Sequence, residues 1–278
     1  MPAETIRLDF EALGTTCHLF ARGVAEGRLE QAADYVREMH GRLTRFDQRS
    51  ELSRFNAGAG AGWQPVSADL EELLRESLRA HRLSSGLVNP AVLASMLAIG
   101  YTRPLREGPT PPTLAAAVPL RPLPEVLEVE RGRARLAAGA GVDLGGIAKG
   151  WLADQIAGRL LGPDSLVNLG GDLYAAGPGP QGDGWPVGIG PASVLLCNQG
   201  AATSATSRRR WQRPEGEADL HHLIDPRTGA PAESDLHIVS VIAARATDAE
   251  VVAKTALLLG SAQAPAYLAA NSLGWWMD

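Results

Sequence analysis

Two glycine pairs, Gly145-Gly146 and Gly170-Gly171, stand at junctions between regular elements. Glycine lets a backbone approach a ligand closely, and amides at a helix start can converge on a phosphate or its metal. Asp143 precedes the first pair and Lys149 follows it. The acid can receive an adenine or ribose donor or simply hold a loop, and the lysine can meet phosphate charge. Any lone glycine pair is also explained as a tight turn, and either charge as solvated surface. His222 lies directly before Leu223-Ile224-Asp225-Pro226. A neutral imidazole there can take a proton near pH 7, although a lone histidine can equally be structural. The glycine spacing matches neither GxGxxG nor GxxxxGK[ST], which argues against Rossmann and P-loop readings.

The elements that must position these residues can be read from periodicity. Residues 6 to 21 alternate loosely around Gly14, which predicts two short strands meeting at a turn. Leu29, Ala32, Val36, Met39, Leu43 and Phe46 recur at three- and four-residue spacing, an apolar helix stripe ending near Asp47. Asp47 to Asn56 is polar, and 57–62 alternates alanine and glycine as a flexible connection. A second helix starts near Ser67, whose hydroxyl can cap it, and runs to Ser85-Gly86. The proline- and alanine-rich stretch from Pro104 to Pro124 reads as a surface excursion, and a hairpin turns at Arg131-Gly132. A third helix carries Ile147, Trp151, Ile156 and Leu160, followed by a strand over Ser165–Leu169 and further strand-like segments to Ala202. A strand over 237–244 and a helix around Val251 to Leu259 close the chain. Strands and helices alternate without a βαβ rhythm, so a mixed α+β fold is expected.

With 278 residues, 45% hydrophobic and 21% charged, the chain can bury a sizeable core. A net charge of −5 and a pI near 5.7 argue against a broad nucleic-acid surface. No apolar run is long enough to span a bilayer, and the first residues carry no basic-then-apolar signal, so a cytoplasmic protein without membrane insertion is expected. Cys17 and Cys197 fit no ligand spacing and read as buried small hydrophobes.

The string from Asp143 to Gly150 resembles, letter for letter, the DLGGIAKG signature of the ApbE-like flavin transferases. Further segments resemble the same family in the same order: 13–15 (LGT), 50–56 (SELSRFN), 167–172 (VNLGGD) and 222–229 (HLIDPRTG). The resemblance spans nearly the whole chain. It implies a single domain with the family's T-fold-like α+β architecture, and FAD as ligand. It also implies cleavage of the FAD pyrophosphate and attachment of FMN, by a phosphoester, to a threonine or serine of an acceptor flavoprotein, normally with magnesium. Carried over by position, Leu13 stands where a methionine often lies beside the flavin, and Phe46 where an aromatic packs on a ring. Leu87, Val88 and Asn89 match an FAD-contacting segment, Asp143 an adenine-side acid, and Lys149 follows in the same loop and helix. Gly146 would offer its carbonyl to the metal, and His222 would take the proton of the acceptor hydroxyl.

The departures are local. The family's FDxT is Val88-Asn89-Pro90-Ala91 here, and Ala205 replaces a glycine after Ala202-Thr203-Ser204. The family's DALAT loop places an aspartate four residues before a threonine, but four before Thr255 stands Val251. Glu250 lies beside it, turned about 100° round a helix. The metal set carried over is therefore Gly146, Glu250 and Thr255, with an altered acid. Lys254 stands where some members carry a second acidic ligand, and its ammonium would repel a close divalent ion and could instead pair with the FAD pyrophosphate. An active transferase is the leading expectation. A non-catalytic FAD-binding homologue and an FAD pyrophosphatase giving FMN and AMP are the alternatives.

Overall fold

A computed structural model describes residues 4–25, 27–113, 117–207, 209–211 and 220–278. Strands β1 (Thr5–Ala12) and β2 (Thr15–Arg22) pair antiparallel across Leu13-Gly14. Both turn residues have positive φ, 56° and 71°, as the hairpin turn that matches strand twist requires. Helix α1 (Arg28–Leu43) buries Leu29, Ala32, Val36 and Met39, the expected stripe. The stripe does not reach Phe46. The helix stops at Leu43, the Ser50 hydroxyl donates to the Thr44 carbonyl (2.5 Å), and Phe46 is left 37% exposed in the turn.

The polar stretch after Asp47 hides a helix that periodicity missed, α2 (Glu51–Ala57). Ser50 caps it by accepting from the Ser53 amide at 3.0 Å, and only Leu52 and Phe55 are buried, too few to make a readable stripe. Strand β3 (Gln64–Pro65) precedes α3 (Ala68–Leu83), whose cap is the expected Ser67, accepting from the Leu70 amide. Two short helices, α4 (Leu93–Ala98) and α5 (Leu123–Val126), lead to the hairpin of β4 (Leu127–Glu130) and β5 (Arg133–Leu136), turning at Arg131-Gly132. In the Pro104–Pro124 excursion the described residues are exposed or half-buried apart from Leu123; residues 114–116 of that excursion, and 1–3 of the amino-terminal segment, lie outside the described residues.

Helix α6 (Ala148–Ile156) buries Trp151, Leu152 and Ile156 and then widens into a π-type turn over Ala157–Leu161. That widening shifts the inward position by one residue, so Leu161, not Leu160, enters the core. Strands β6 (Ser165–Leu169), β7 (Leu173–Ala176), β8 (Trp185–Ile189), β9 (Ala192–Leu196) and β10 (Gln199–Ala205) follow. Cys17 is buried as expected, but Cys197 is exposed, because it falls in the turn between β9 and β10 and not within a strand. The two-residue strands β11 (Arg210–Trp211) and β12 (Leu220–His221) pair with each other, and β13 (Ile238–Ala243) leads to α7 (Ala246–Leu259). Helix α7 starts at Ala246, well before Val251, since the Asp154 carboxylate accepts the Ala246 and Thr247 amides and the Thr247 hydroxyl. Helix α8 (Ala264–Asn271) and strand β14 (Gly274–Met277) complete the chain.

The chain gathers into two compact units of discontinuous sequence. The first unit holds Met1–His40, Ile147–Ser204 and Ile238–Asp278, around a seven-stranded sheet ordered β1-β2-β6-β7-β10-β13-β14. Strand β6 is buried on both sides: Leu166 packs with Trp185, Val187 and Leu196 of the β8–β9 hairpin, and Val167 and Leu169 point the other way. Helix α6 packs on β6 and β7 and against α7. The second unit holds Gly41–Gly146 and Ala205–His237, with the small sheet β3-β5-β4 and a cluster of Met96, Ile99, Tyr101, Trp211, Leu220 and Ile224. Mixed helix and sheet is thus what the sequence led one to expect. Among the described residues no helix is long and apolar enough to cross a membrane.

Candidate active site

The signature Asp143–Gly150 is divided between the units: Asp143–Gly146 packs with the second, Ile147–Gly150 with the first. In the first unit three of the motifs converge. Gly170 and Gly171 turn with φ of 77° and 102°. A Cβ at Gly170 would lie 2.5 Å from the Thr15 hydroxyl, and with φ at 77° glycine is the residue that lets the Leu13-Gly14-Thr15 turn sit against this loop without a shift of Thr15. Leu13 is half-buried, and its amide donates to His40 Nδ1 at 3.4 Å.

The loop then delivers Asp172 into the interior, 3% exposed. The Lys149 ammonium, on the first turn of α6, contacts the Asp172 carboxylate and lies 3.6 Å from Glu250 Oε1. Glu250 is itself 4% exposed on α7, and its Oε2 accepts the Gly150 amide at 2.9 Å. Thus an ammonium sits beside two buried carboxylates, one of which also receives an amide of a helix amino-terminus. Gly150 permits this approach, since a Cβ there would lie 2.8 Å from the Ala246 carbonyl oxygen and 2.9 Å from Thr247 Cα. Lys254 is half-buried one turn beyond Glu250.

In the second unit Asp143 is held on both oxygens. Oδ2 accepts Arg45 Nε at 2.6 Å, and Oδ1 accepts the Gly145 amide at 2.8 Å. The Arg45 guanidinium lies over the rings of Phe46 (4.3 Å to the centroid) and Tyr101 (4.5 Å). Asn56 clamps the neighbouring Val142 through its amide and carbonyl, and the Asp143 amide donates to the Pro90 carbonyl. Residues 87–90 thereby lie along the signature loop. Leu87 is half-buried and Val88 buried. Asn89, 6% exposed, spends its side chain on the Arg121 carbonyl and the Ala91 amide.

His222 follows β12, half-buried with its Nδ1 shielded from solvent. Its neighbour His221 is a scaffold residue: Nε2 donates to the Ala232 carbonyl (3.0 Å) and Nδ1 accepts the Leu223 amide (3.3 Å), which fixes a neutral tautomer. Burial holds the His221 pKa below the ordinary histidine value. Beyond it Asp225 accepts the Arg227 amide and guanidinium, and the Gly229 amide closes the turn on the Asp225 carbonyl.

Residues 13–275 match the ApbE family model. The chain belongs to the ApbE family. An FAD:protein FMN transferase of Treponema pallidum is 32% identical over 287 residues, covering 89% of this chain and 77% of the relative. One of Haemophilus influenzae is 25% identical over 300 residues, covering 99% and 86%. The apo form of the Pseudomonas stutzeri flavinyl transferase ApbE has the same fold, with a TM-score of 0.85 at 22% identity, over 100% of this chain and 92% of that one. The ApbE protein of Thermotoga maritima matches with a TM-score of 0.84 at 21% identity, over 99% and 94%.

ApbE membership makes magnesium the ion to test against these residues. Thr255 is buried, donates its hydroxyl to the Val251 carbonyl at 2.8 Å and hydrogen-bonds Tyr267 of α8. On a helix Thr255 and Glu250 point about 140° apart, so they do not share a face. Glu250 faces α6 instead, with its oxygens toward Lys149 and the Gly150 amide. Among the described residues no three His, Cys, Asp or Glu side chains gather to hold an ion. The α7 pair carried over from the ApbE metal loop therefore does not form the convergent oxygen set that magnesium demands. Sequence reading missed Arg45, because its partner Asp143 lies 98 residues away and nothing local announces the pair. Asp172 stood inside a recognised motif, but its partnership with Lys149 has no signal in the spacing.

Proposed function

We propose that this protein is an FAD:protein FMN transferase. The observation that carries the reading is membership of the ApbE family over residues 13–275 with the Asp143–Gly150 signature intact. FAD would be held by the second unit's Asp143 loop and the 87–89 segment, with Phe46 as a ring-packing surface and Gly146 at the loop's end. The family resemblance adds Leu13 and Lys254 as further candidates to meet the ligand, whereas the Lys149 ammonium is engaged by Asp172 and Glu250. In the reaction the acceptor's threonine or serine hydroxyl gives its proton to His222 while its oxygen attacks the FMN phosphorus. The new phosphoester forms as the bond to the bridging oxygen breaks, and AMP leaves carrying that oxygen. The neutral His221 tautomer and the Asp225–Gly229 turn support the reading, because both fix the backbone on either side of His222.

Intact-mass analysis of an acceptor flavoprotein incubated with FAD and this protein tests the proposal. Acceptor gaining the mass of FMN, with AMP released, is expected. FMN and AMP appearing without modified acceptor would make it an FAD pyrophosphatase, and bound but uncleaved FAD a carrier. His222→Ala should retain FAD binding and lower transfer by about 10²- to 10⁴-fold, the range for loss of a general base. Transfer at the wild-type rate would remove His222 from that role.

A further inference from the structure

We propose that Lys149 is the built-in counter-ion of the first unit, and that its ammonium occupies by charge the place a divalent cation would take between Asp172 and Glu250. Three observations carry this. Lys149 is 15% exposed and its Nζ contacts Asp172 and lies 3.6 Å from Glu250, whose side chains are 4% and 5% exposed. Two carboxylates so deeply buried cannot both stay ionised without compensation. The second Glu250 oxygen takes the Gly150 amide in the first turn of α6, where the helix dipole favours negative charge. One ammonium and one helix amino-terminus together therefore neutralise the pair. Thr255, the other α7 donor, is turned toward Val251 and Tyr267.

A hydrated magnesium ion entering here would have to displace an ammonium already held by the same oxygens. The arrangement makes the unit independent of divalent cations for its folding, whatever the protein transfers. It also makes Lys149 a positioning residue, one that ties α6 to α7 and to the Gly170-Gly171 loop.

Thermal unfolding and Mn2+ electron paramagnetic resonance on the full-length, EDTA-treated protein test this without reference to activity. Wild type should unfold at the same Tm with and without millimolar MgCl2 or MnCl2, and should bind no Mn2+ that Glu250→Gln removes. Lys149→Met should unfold about 5–15 °C lower, as expected when one partner of a buried pair is lost. Mn2+ should restore much of that loss and give a bound-metal spectrum, because the freed carboxylates can then hold a cation. Adding Glu250→Gln should abolish the rescue. Stoichiometric Mn2+ on the wild type, lost in Glu250→Gln, would overturn the proposal, as would a Lys149→Met protein that Mn2+ neither binds nor stabilises. Should Lys149→Met fail to fold, the wild-type measurement still decides, and Lys149→Arg, which keeps the charge, should fold and ignore Mn2+.

Discussion

Arg45 and Asp143 are 5% and 13% exposed, so their pairing is a buried one and its removal from one side leaves a carboxylate without its cation. Breaking such pairs costs about 3–5 kcal/mol. Arg45 Nη2, however, is buried with no hydrogen-bond partner among the described residues, a defect that already weakens the pair. Arg45→Met should therefore lie near the lower end of that range in urea unfolding, and Arg45→Lys should recover only part, since a lysine cannot stack flat on Phe46 and Tyr101. An unchanged unfolding midpoint in Arg45→Met would show that the pair contributes nothing. Two histidines set a pH dependence. Burial lowers the pKa of His81, whose Nε2 accepts the Leu123 amide, and of His221. A lowered folded pKa means that the unfolded chain binds protons first. Their stabilisation is complete above the ordinary histidine value of about 6.5 and is lost as pH falls through the lower folded values. The Tm profile should accordingly drop on the acid side, and His81→Asn with His221→Asn should flatten it; an equally steep profile in the double variant would assign the drop to other groups. At this scale the sequence offered candidate residues and was silent about pairing. His222 could be picked out by its motif, whereas Arg45 finds Asp143 only through folding.

Among the elements, α6 and α7 show where local reading stops. Periodicity foresaw both helices, yet the start of α7 is set by Asp154 on α6, and a cap supplied from 92 residues away leaves no trace in the sequence beside it. Helix α2 was missed for the opposite reason, a short helix held by one cap and two buried side chains. The hairpins, by contrast, were legible because their turns need glycine at positive φ, as at Gly14 and Gly132. The α6–α7 contact is a close one, with Gly150 against the backbone of α7. Gly150→Ala would press a methyl group on the backbone of Ala246 and Thr247 and should cost about 1–3 kcal/mol, as overpacking does. Asp154→Ala should cost a further about 1–2 kcal/mol by uncapping α7. Chemical denaturation of each variant measures both, and a Gly150→Ala protein as stable as wild type would mean that the helices separate freely.

Over the whole molecule, the mixed α+β architecture was legible from alternating periodicities, and the family from five ordered motifs, whereas the discontinuity of the two units was not. Nothing in composition marks a chain that leaves the first unit after His40 and returns at Ile147. The cysteines give that organisation a practical use. Cys17 lies wholly buried in β2 of the seven-stranded sheet, its thiol pushed up to about 11 by burial, and Cys197 stands exposed in a turn. In the native protein a thiol reagent at neutral pH should modify Cys197 alone, and peptide mapping would locate the label. Cys17 should react only when the sheet opens, so in a Cys197→Ser background its labelling rate becomes a clock for excursions of the first unit. Rapid labelling of Cys17 under native conditions would contradict its burial. The same pattern gives a fluorophore or spin label a single address on the unmodified chain, without a cysteine-free variant having to be made first.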